Sequence, residues 1–572
     1  LARTLIDDGL LTLSHQKQSA VCYFFFKDIS PYQRSALSAI SAILHQLFSA
    51  FPSLVKHAVL SYNLNGKELL HLFDEMFDIL RQATADPDVG QVVCVLDALD
   101  ECNDDDRSFL VKAITTFYHG AKNASNVDDQ PKLKFLMTSR PYSHIYLDLH
   151  DVIKETPTIH LSGDHESEKI KDEIDHVINV DIPKLAATRG FDEDATKYLV
   201  DKLRSVENRT YLWLSLIMEE IRLSERPSNK RELNKIISNL PRSVIDAFDS
   251  ILKRCRHPEL ARQILHIILA AREPLAVDDM KIATALASDL GYRSYEEIGI
   301  ERSDAFEMRI KNICGLMVTV DDGVVLLIHQ TAKEFLLKDD NTSQNCGAWQ
   351  FSFSPLDSEI LLAKICITLL SFTCFSKSPL TIDTDNADEA DKKVSQYARD
   401  HAFLKYASMN WVDHTQHAKI DDDSEWVPSI LSLCRADSPM CRTWYTIYQR
   451  APKCSLPWKM TSLNLAAEFE FTNVLASLLQ SHENPNETDG YGATPLARSV
   501  RKSRRAVELL LDANANVNSP EWAGPWDEGL DETDSETEGK PFEGTPLTMA
   551  VLDGDTEMVQ YLIDRGAQMN FP

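Results

Sequence analysis

Three carboxylates, Asp97, Asp100 and Glu101, close the stretch VVCVLDALDEC, Val92 to Cys102. A short, largely β-branched apolar run of this kind predicts a strand buried on both faces. Its acids then fall at the strand's C-terminal edge, where open α/β sheets hold their ligands. There Asp97 suits the Walker B role, holding Mg²⁺ directly or through water beside nucleotide phosphates. Asp100 or Glu101 could orient or deprotonate an attacking water. The plain alternative is an apolar strand that ends in acids. The next apolar run, Leu133 to Met137, leads into Thr138-Ser139-Arg140-Pro141. Arg140 would then open on the same edge, where a guanidinium can approach a γ-phosphate. An ordinary strand-end turn is the alternative here, and the two signals on successive strands are more specific than either alone.

The elements that must position these residues alternate in type. Leu1 to Leu13 has helical spacing, and Val21 to Phe26 (VCYFFF) is a continuous apolar run that predicts a buried strand. Gln33 to Phe51 and Glu68 to Gln82 are amphipathic helices, followed by the Val92 strand, a helix from about Ser108 to His119, and the Leu133 strand. Strand–helix alternation implies a mainly parallel sheet. Beyond it helices prevail: Ser167 to Val180, Asp192 to Ser205, Tyr211 to Leu223, Val244 to Arg256, Leu260 to Ala271, Asp278 to Ala287 and Phe306 to Cys314. LMVTV and VVLLI around Asp321, Asp322 and Gly323 predict a β-hairpin, so this region has the pattern of a winged helix. Asp357 to Phe372 and Tyr397 to His414 continue as helices. Thr461-Ser462-Leu463 and Thr494-Pro495-Leu496 lie 33 residues apart, the ankyrin period. Thr545-Pro546-Leu547 lies 51 residues further on, one period plus an insertion carrying the acidic tract Asp527 to Gly539.

Composition narrows the function classes. A formal charge of −28 argues against a general nucleic-acid binder and disfavours anionic membranes, both of which need clustered Lys and Arg. Eleven scattered cysteines without a CxxC pair fit reduced thiols in a cytoplasmic, intracellular protein. The longest apolar segment, Ile360 to Phe375, contains Lys364 and reads as too short for a bilayer.

VVCVLDALDEC, LKFLMTSRP and VCYFFFKD together resemble the NACHT group of STAND nucleotide-binding proteins, especially the fungal NLR-like type with C-terminal ankyrin repeats. YLWLSLIMEEIRL (Tyr211 to Leu223), Leu240-Pro241, LIHQTAKEFLL (Leu327 to Leu337) and FLKYASMNWVDH (Phe403 to His414) add to the resemblance. It implies a P-loop NTPase that binds ATP or GTP with Mg²⁺, with Asp97 as metal ligand, Asp100 and Glu101 as catalytic acids, and Arg140 on the nucleotide. It also implies that His329, after a winged-helix strand, contacts the β-phosphate; a helix-capping or interface histidine is the alternative. Family members carry GxxxxGK[ST], whose amides cradle the phosphates. This sequence has no such motif: Gly66-Lys67 has Ser61 where the upstream glycine belongs. The expectation is an N-terminally truncated chain beginning inside the P-loop helix, inactive as given, from a parent that hydrolyses slowly.

The expected architecture is multidomain α/β plus α. It comprises a P-loop NTPase core lacking its P-loop at 1–150, a helical domain at 151–240, a winged-helix-like domain at 241–340, a helical linker at 341–455, and ankyrin repeats at 456–572 with an acidic insertion near 521–540. The expected function is a nucleotide-dependent signalling switch in innate-type or self/non-self recognition in a filamentous fungus. It would bind a protein partner through the repeats and self-oligomerise, without nucleic acid or membrane. The alternative is a non-enzymatic ankyrin scaffold with a degenerate NTPase core.

Overall fold

The computed structural model describes residues 18–27, 32–122, 132–140, 167–206, 210–223, 241–299, 301–337, 348–382, 386–422, 425–451, 454, 456–519, 521–523 and 542–569. The expected Leu1 to Leu13 helix and the acidic tract lie outside them. The chain divides into two compact units, Leu1–His176 and Val177–Pro572.

In the first unit, β1 (Gln18–Phe25), β2 (Val89–Asp97) and β3 (Leu133–Met137) form a parallel sheet in the order β1-β2-β3. Parallel neighbours need crossovers. Between β1 and β2 these are α1 (Ala36–Ala50), α2 (Lys56–Asn65) and α3 (Phe73–Ala85), and between β2 and β3 it is α4 (Asp104–Lys122). The Ser35 side chain accepts from the Ser38 N–H to start α1, which buries Ala36, Ala39, Ile40, Ile43, Leu44 and Leu47 at helical spacing. Central β2 matches its expectation, with Val92, Cys94, Val95 and Leu96 fully buried. Edge strand β1 does not: Ala20, Cys22 and Phe26 are buried, but Tyr23 is 38% exposed. An edge strand here needs only one apolar face. Its open edge is closed at Tyr23 by the Gln46 amide, which accepts from the Tyr23 N–H (3.0 Å) and donates to the Tyr23 carbonyl (2.8 Å). The expected Glu68 helix starts only at Phe73, because Gly66–His71 is a 3₁₀ segment. No sequence pattern predicts helix α2, because it buries no residue and has no apolar stripe.

Helix Ser167–Arg189 runs across the division between the units, and in the second unit Glu193–Arg204 and Tyr211–Leu223 precede α5 (Val244–Lys253), α6 (Pro258–Ala270), α7 (Val277–Ser288) and α8 (Ser303–Cys314). The hairpin is β5 (Val318–Asp321) and β6 (Val324–Leu327), with Asp322 and Gly323 at positive φ, as its two-residue turn requires. A short β4 (Leu275–Ala276) adds to β6. Helix α9 (Gln330–Leu336) follows. The apolar segment is α10 (Pro355–Leu370). Counted on through Lys377, it is 23 residues, long enough to cross a bilayer by length and composition, which corrects the expectation that it is too short. It is a core helix instead, mostly buried against α6, α7 and α12 (Leu404–Ala418). The expected Tyr397 to His414 helix is two, α11 (Ala387–Asp400) and α12, broken where Phe403 adopts φ 66°. The ankyrin motifs each open a helix pair: Ser462–Glu468 with Thr472–Gln480, Pro495–Val500 with Arg504–Asp512, and Pro546–Leu552 with Thr556–Asp564. Thr461, Thr494 and Thr545 cap the first helix of each pair through their side chains. A ladder of Glu521–Ala523 against Phe542–Gly544 joins the two ends of the insertion. One hydrophobic core runs without interruption from Leu216 to Ala567.

Cysteines among the described residues are free thiols. Burial pushes the Cys22, Cys102 and Cys441 thiols up to about 12, which keeps them protonated and unreactive.

Candidate strand-edge site

The C-terminal ends of all three strands of the first sheet are laced together at Asp97. The Phe26 N–H donates to the Asp97 carbonyl at 3.0 Å, and the Thr138 N–H donates to the Leu96 carbonyl at 3.0 Å. Ala98 adopts the left-handed conformation, φ 57° and ψ 51°, and turns the chain sharply into a 3₁₀ turn over Leu99–Glu101. A side chain at that backbone costs about 1 kcal/mol, so a small residue suits the position. The turn is held by one hydroxyl: Thr138 Oγ1 accepts from the Ala98 N–H at 2.9 Å and donates to Asp97 Oδ1 at 2.7 Å. The Thr138 carbonyl accepts from the Leu99 N–H at 2.8 Å. Asp97 Oδ1 is thereby fixed in direction. Thr138→Val leaves both partners unsatisfied and lowers stability by about 1–3 kcal/mol in urea unfolding; an unchanged midpoint would contradict this role.

Asp100 and Arg140 meet each other. Asp100 Oδ1 accepts from the Arg140 N–H at 3.1 Å, and Oδ2 lies 3.3 Å from Arg140 Nε. The Asp100 side chain is 5% exposed and that of Arg140 33%. The pair therefore clasps the strand-end turn to the TSRP segment. Glu101 is half-buried beside them. The structure thus brings Asp97, Asp100, Glu101 and Arg140 to one edge, with Arg140 engaged by Asp100.

His329 lies in the second unit, directly before α9. It is exposed, and its Nδ1 accepts from the Thr331 N–H at 3.1 Å, a helix cap. Three further residues, Thr138, Asp104 and Asp106, hold the surroundings of the strand edge. Thr138 carried no assigned role, although a hydroxyl directly after a strand next to an acid-ended one was a usable signal. Asp106 accepts from the Ala36 N–H at 3.0 Å and Asp104 pairs with Arg107 at 2.7 Å, so acids in the first turn of α4 serve the fold. No sequence pattern pointed to that long-range cap.

No group of three or more His, Cys, Asp or Glu converges as a metal cage among the described residues. Mg²⁺ in nucleotide sites needs none, since one or two carboxylates, waters and the substrate phosphates complete its shell.

Residues 1–140 match the family model of the nephrocystin 3 N-terminal domain, residues 248–346 that of the winged-helix domain of GPI inositol-deacylase, and residues 544–572 that of the ankyrin repeat. These matches and the repeats support a NACHT/ankyrin protein similar to the fungal NLR-like kind. The particular likeness is to the vegetative incompatibility protein HET-E-1 of Podospora anserina, 22% identical over 423 residues. That match takes in 71% of this chain and 29% of the relative's length.

Proposed function

We propose that the chain carries the metal side of a nucleotide-dependent signalling switch and couples it to a protein-recognising ankyrin surface. The supporting observation is Asp97, placed at the C-terminal end of the central parallel strand with one carboxylate oxygen fixed by Thr138. The residues present fit Mg²⁺: Asp97 Oδ2 would meet the ion, and the bound ion would neutralise charge between the phosphates of ATP or GTP. Glu101 would orient water at the same edge. Asp100 holds Arg140 with its backbone and guanidinium at the rim, so Arg140 must leave Asp100, or share it, to reach a phosphate. His329 would contact phosphate only through atoms its capping bond does not use. Phosphate cradling has to come from a GxxxxGK[ST] segment, which these 572 residues lack. Exchange of diphosphate for triphosphate would free the protein to self-associate inside the cell.

The test is calorimetry with Mg-ATP and Mg-GTP on the protein extended at its N-terminus by a strand–loop–helix segment carrying GxxxxGK[ST], as parent and as Asp97→Ala. The parent binds and the variant loses Mg²⁺-dependent affinity by about 10- to 100-fold; equal binding would reject the assignment. The chain alone binds nucleotide no tighter than about 1 mM, −4 kcal/mol, and micromolar binding would overturn the split of the site. The scaffold reading is favoured by the Asp100–Arg140 clasp, which has a complete structural use without nucleotide. It wins if the extended protein, too, binds none.

A further inference from the structure

Helix α2, in the first unit, is built inside out. It buries no residue, and the neighbouring apolar anchors, Leu54 and Leu69, lie outside it. What ties it to the body of the unit is polar: Lys56 Nζ and His57 Nε2 lie 2.7 and 2.8 Å from Asp86 Oδ2, and the Ser61 hydroxyl donates to Glu75 at 3.0 Å. Its large apolar side chains face solvent instead. Leu60 is 71% and Leu64 77% exposed, and Val59 and Tyr62 are exposed as well. Leu70 and Leu72, in and just after the 3₁₀ segment that packs on α2, are exposed too. A surface helix that serves only its own fold shows the reverse pattern, apolar inside and polar outside.

Burying one side chain of this kind removes about 60–120 Å² from water, so these six offer on the order of 500 Å². Exposed apolar surface of that size is what contact sites present. A stable pair takes about 800 Å² from each partner, somewhat over half of it apolar, so the surface suffices for one partner. Its charge bears on which. The chain carries −28, and like-charged copies repel. Residues 52–72, however, hold only two lysines and one glutamate, and the acids that α2 touches, Asp86 and Glu75, are already engaged. A second copy therefore meets little repulsion from this stretch, whereas a partner chosen by charge would find no field on it. Leu60 and Leu64 stand one helical turn apart, a spacing at which a helix can interleave with an antiparallel copy of itself across a twofold axis.

We propose that the exposed face of α2, with the 3₁₀ segment after it, is the contact through which two copies of this chain pair about a twofold axis. Sedimentation velocity on the full chain, from about 1 to 100 μM, shows a monomer–dimer equilibrium in the micromolar range. Leu60→Glu/Leu64→Glu weakens the pair about tenfold or more by setting like charges against each other. The urea midpoint stays where it was, because neither side chain is buried. Leu60→Lys/Leu64→Lys behaves alike, and an equimolar mixture of the two variants pairs again, since opposite charges then meet across the axis. A parent that stays monomeric over this range, a double variant that pairs as the parent does, or a mixture that fails to recover overturns the proposal. A monomeric parent that floats with neutral phosphatidylcholine vesicles, and loses this in the double variants, makes lipid the occupant and overturns it too. The pair needs no nucleotide, so its failure leaves the switch reading to the calorimetric test, and failure of that test leaves the pair standing.

Discussion

Glu359→Ala lowers the stability of the second unit by about 3–5 kcal/mol, the range for removing one partner of a buried charge pair. Glu359, on α10, receives both ends of the Arg272 guanidinium, at 2.6 and 3.0 Å, while Arg272 Nε reaches Asp413 at 2.5 Å. The same Glu359 lies 2.6 Å from His414 Nδ1, and His414 Nε2 lies 2.9 Å from the Tyr406 hydroxyl. Proton placement follows from the donors. The ionised Glu359 carboxylate can only accept, so His414 carries a proton on Nδ1 and donates it to Glu359. With the ring neutral, Nε2 accepts from the Tyr406 O–H, whose oxygen also accepts from the Arg272 N–H at 3.0 Å. Burial holds the His414 pKa below its usual 6.5, outweighing the bond to Glu359. Glu359 resists burial, which alone would raise its pKa, because His414 and Arg272 hydrogen-bond its ionised form and bring it below the usual carboxylate value.

Both shifts have the same sign in acid. The unfolded chain binds more protons than the folded one, so stability falls as pH drops below about 6.5 for His414 and again below about 4.5 for Glu359. All eight tryptophans lie in the second unit, so tryptophan fluorescence follows it selectively. Urea unfolding at pH 7.5 and pH 5.5 gives the two numbers. An unchanged midpoint for Glu359→Ala, or a parent chain equally stable at both pH values, would refute the network's role.

Trp411→Ala costs about 3–5 kcal/mol, the range for deleting a large buried aromatic. Trp411 on α12 is fully buried, with ring centroids 5.0 Å from Trp444 and 5.5 Å from Phe471. Phe471 opens the second helix of the first repeat, so this cluster welds the helical segment to the ankyrin stack. Trp411→Phe separates packing from polarity: the indole N–H has no hydrogen-bond partner among the described residues. Losing it offsets part of the lost volume, and the cost stays within about 1.5 kcal/mol. Equal losses for Ala and Phe would show that ring packing is not what matters at this position.

Periodicity made much of this fold legible. β2, β3 and the amphipathic helices declared themselves because burial imposes a period, and the capping threonines because a fixed motif recurs. What failed had no local signal. Helix α2 buries nothing, the break at Phe403 is a single positive φ in a helical pattern, and α10 needed its neighbours to show that it is a core helix. At the strand edge, the acids were visible as residue types. Their division of labour was not, because it depends on a Thr138 hydroxyl 41 residues from Asp97 and an Arg140 guanidinium 40 residues from Asp100.

The ladder of Glu521–Ala523 with Phe542–Gly544 has a consequence for how the repeat array tolerates change in length. Closing a flexible segment costs entropy only as the logarithm of its length, about 0.6 kcal/mol per doubling. Three paired positions bring Ala523 beside Phe542, so the two ends of the insertion meet at one place in the stack. The junction of the second and third repeats is therefore a permissive splice point, where sequence can be lengthened, shortened or exchanged while the third helix pair keeps its seat.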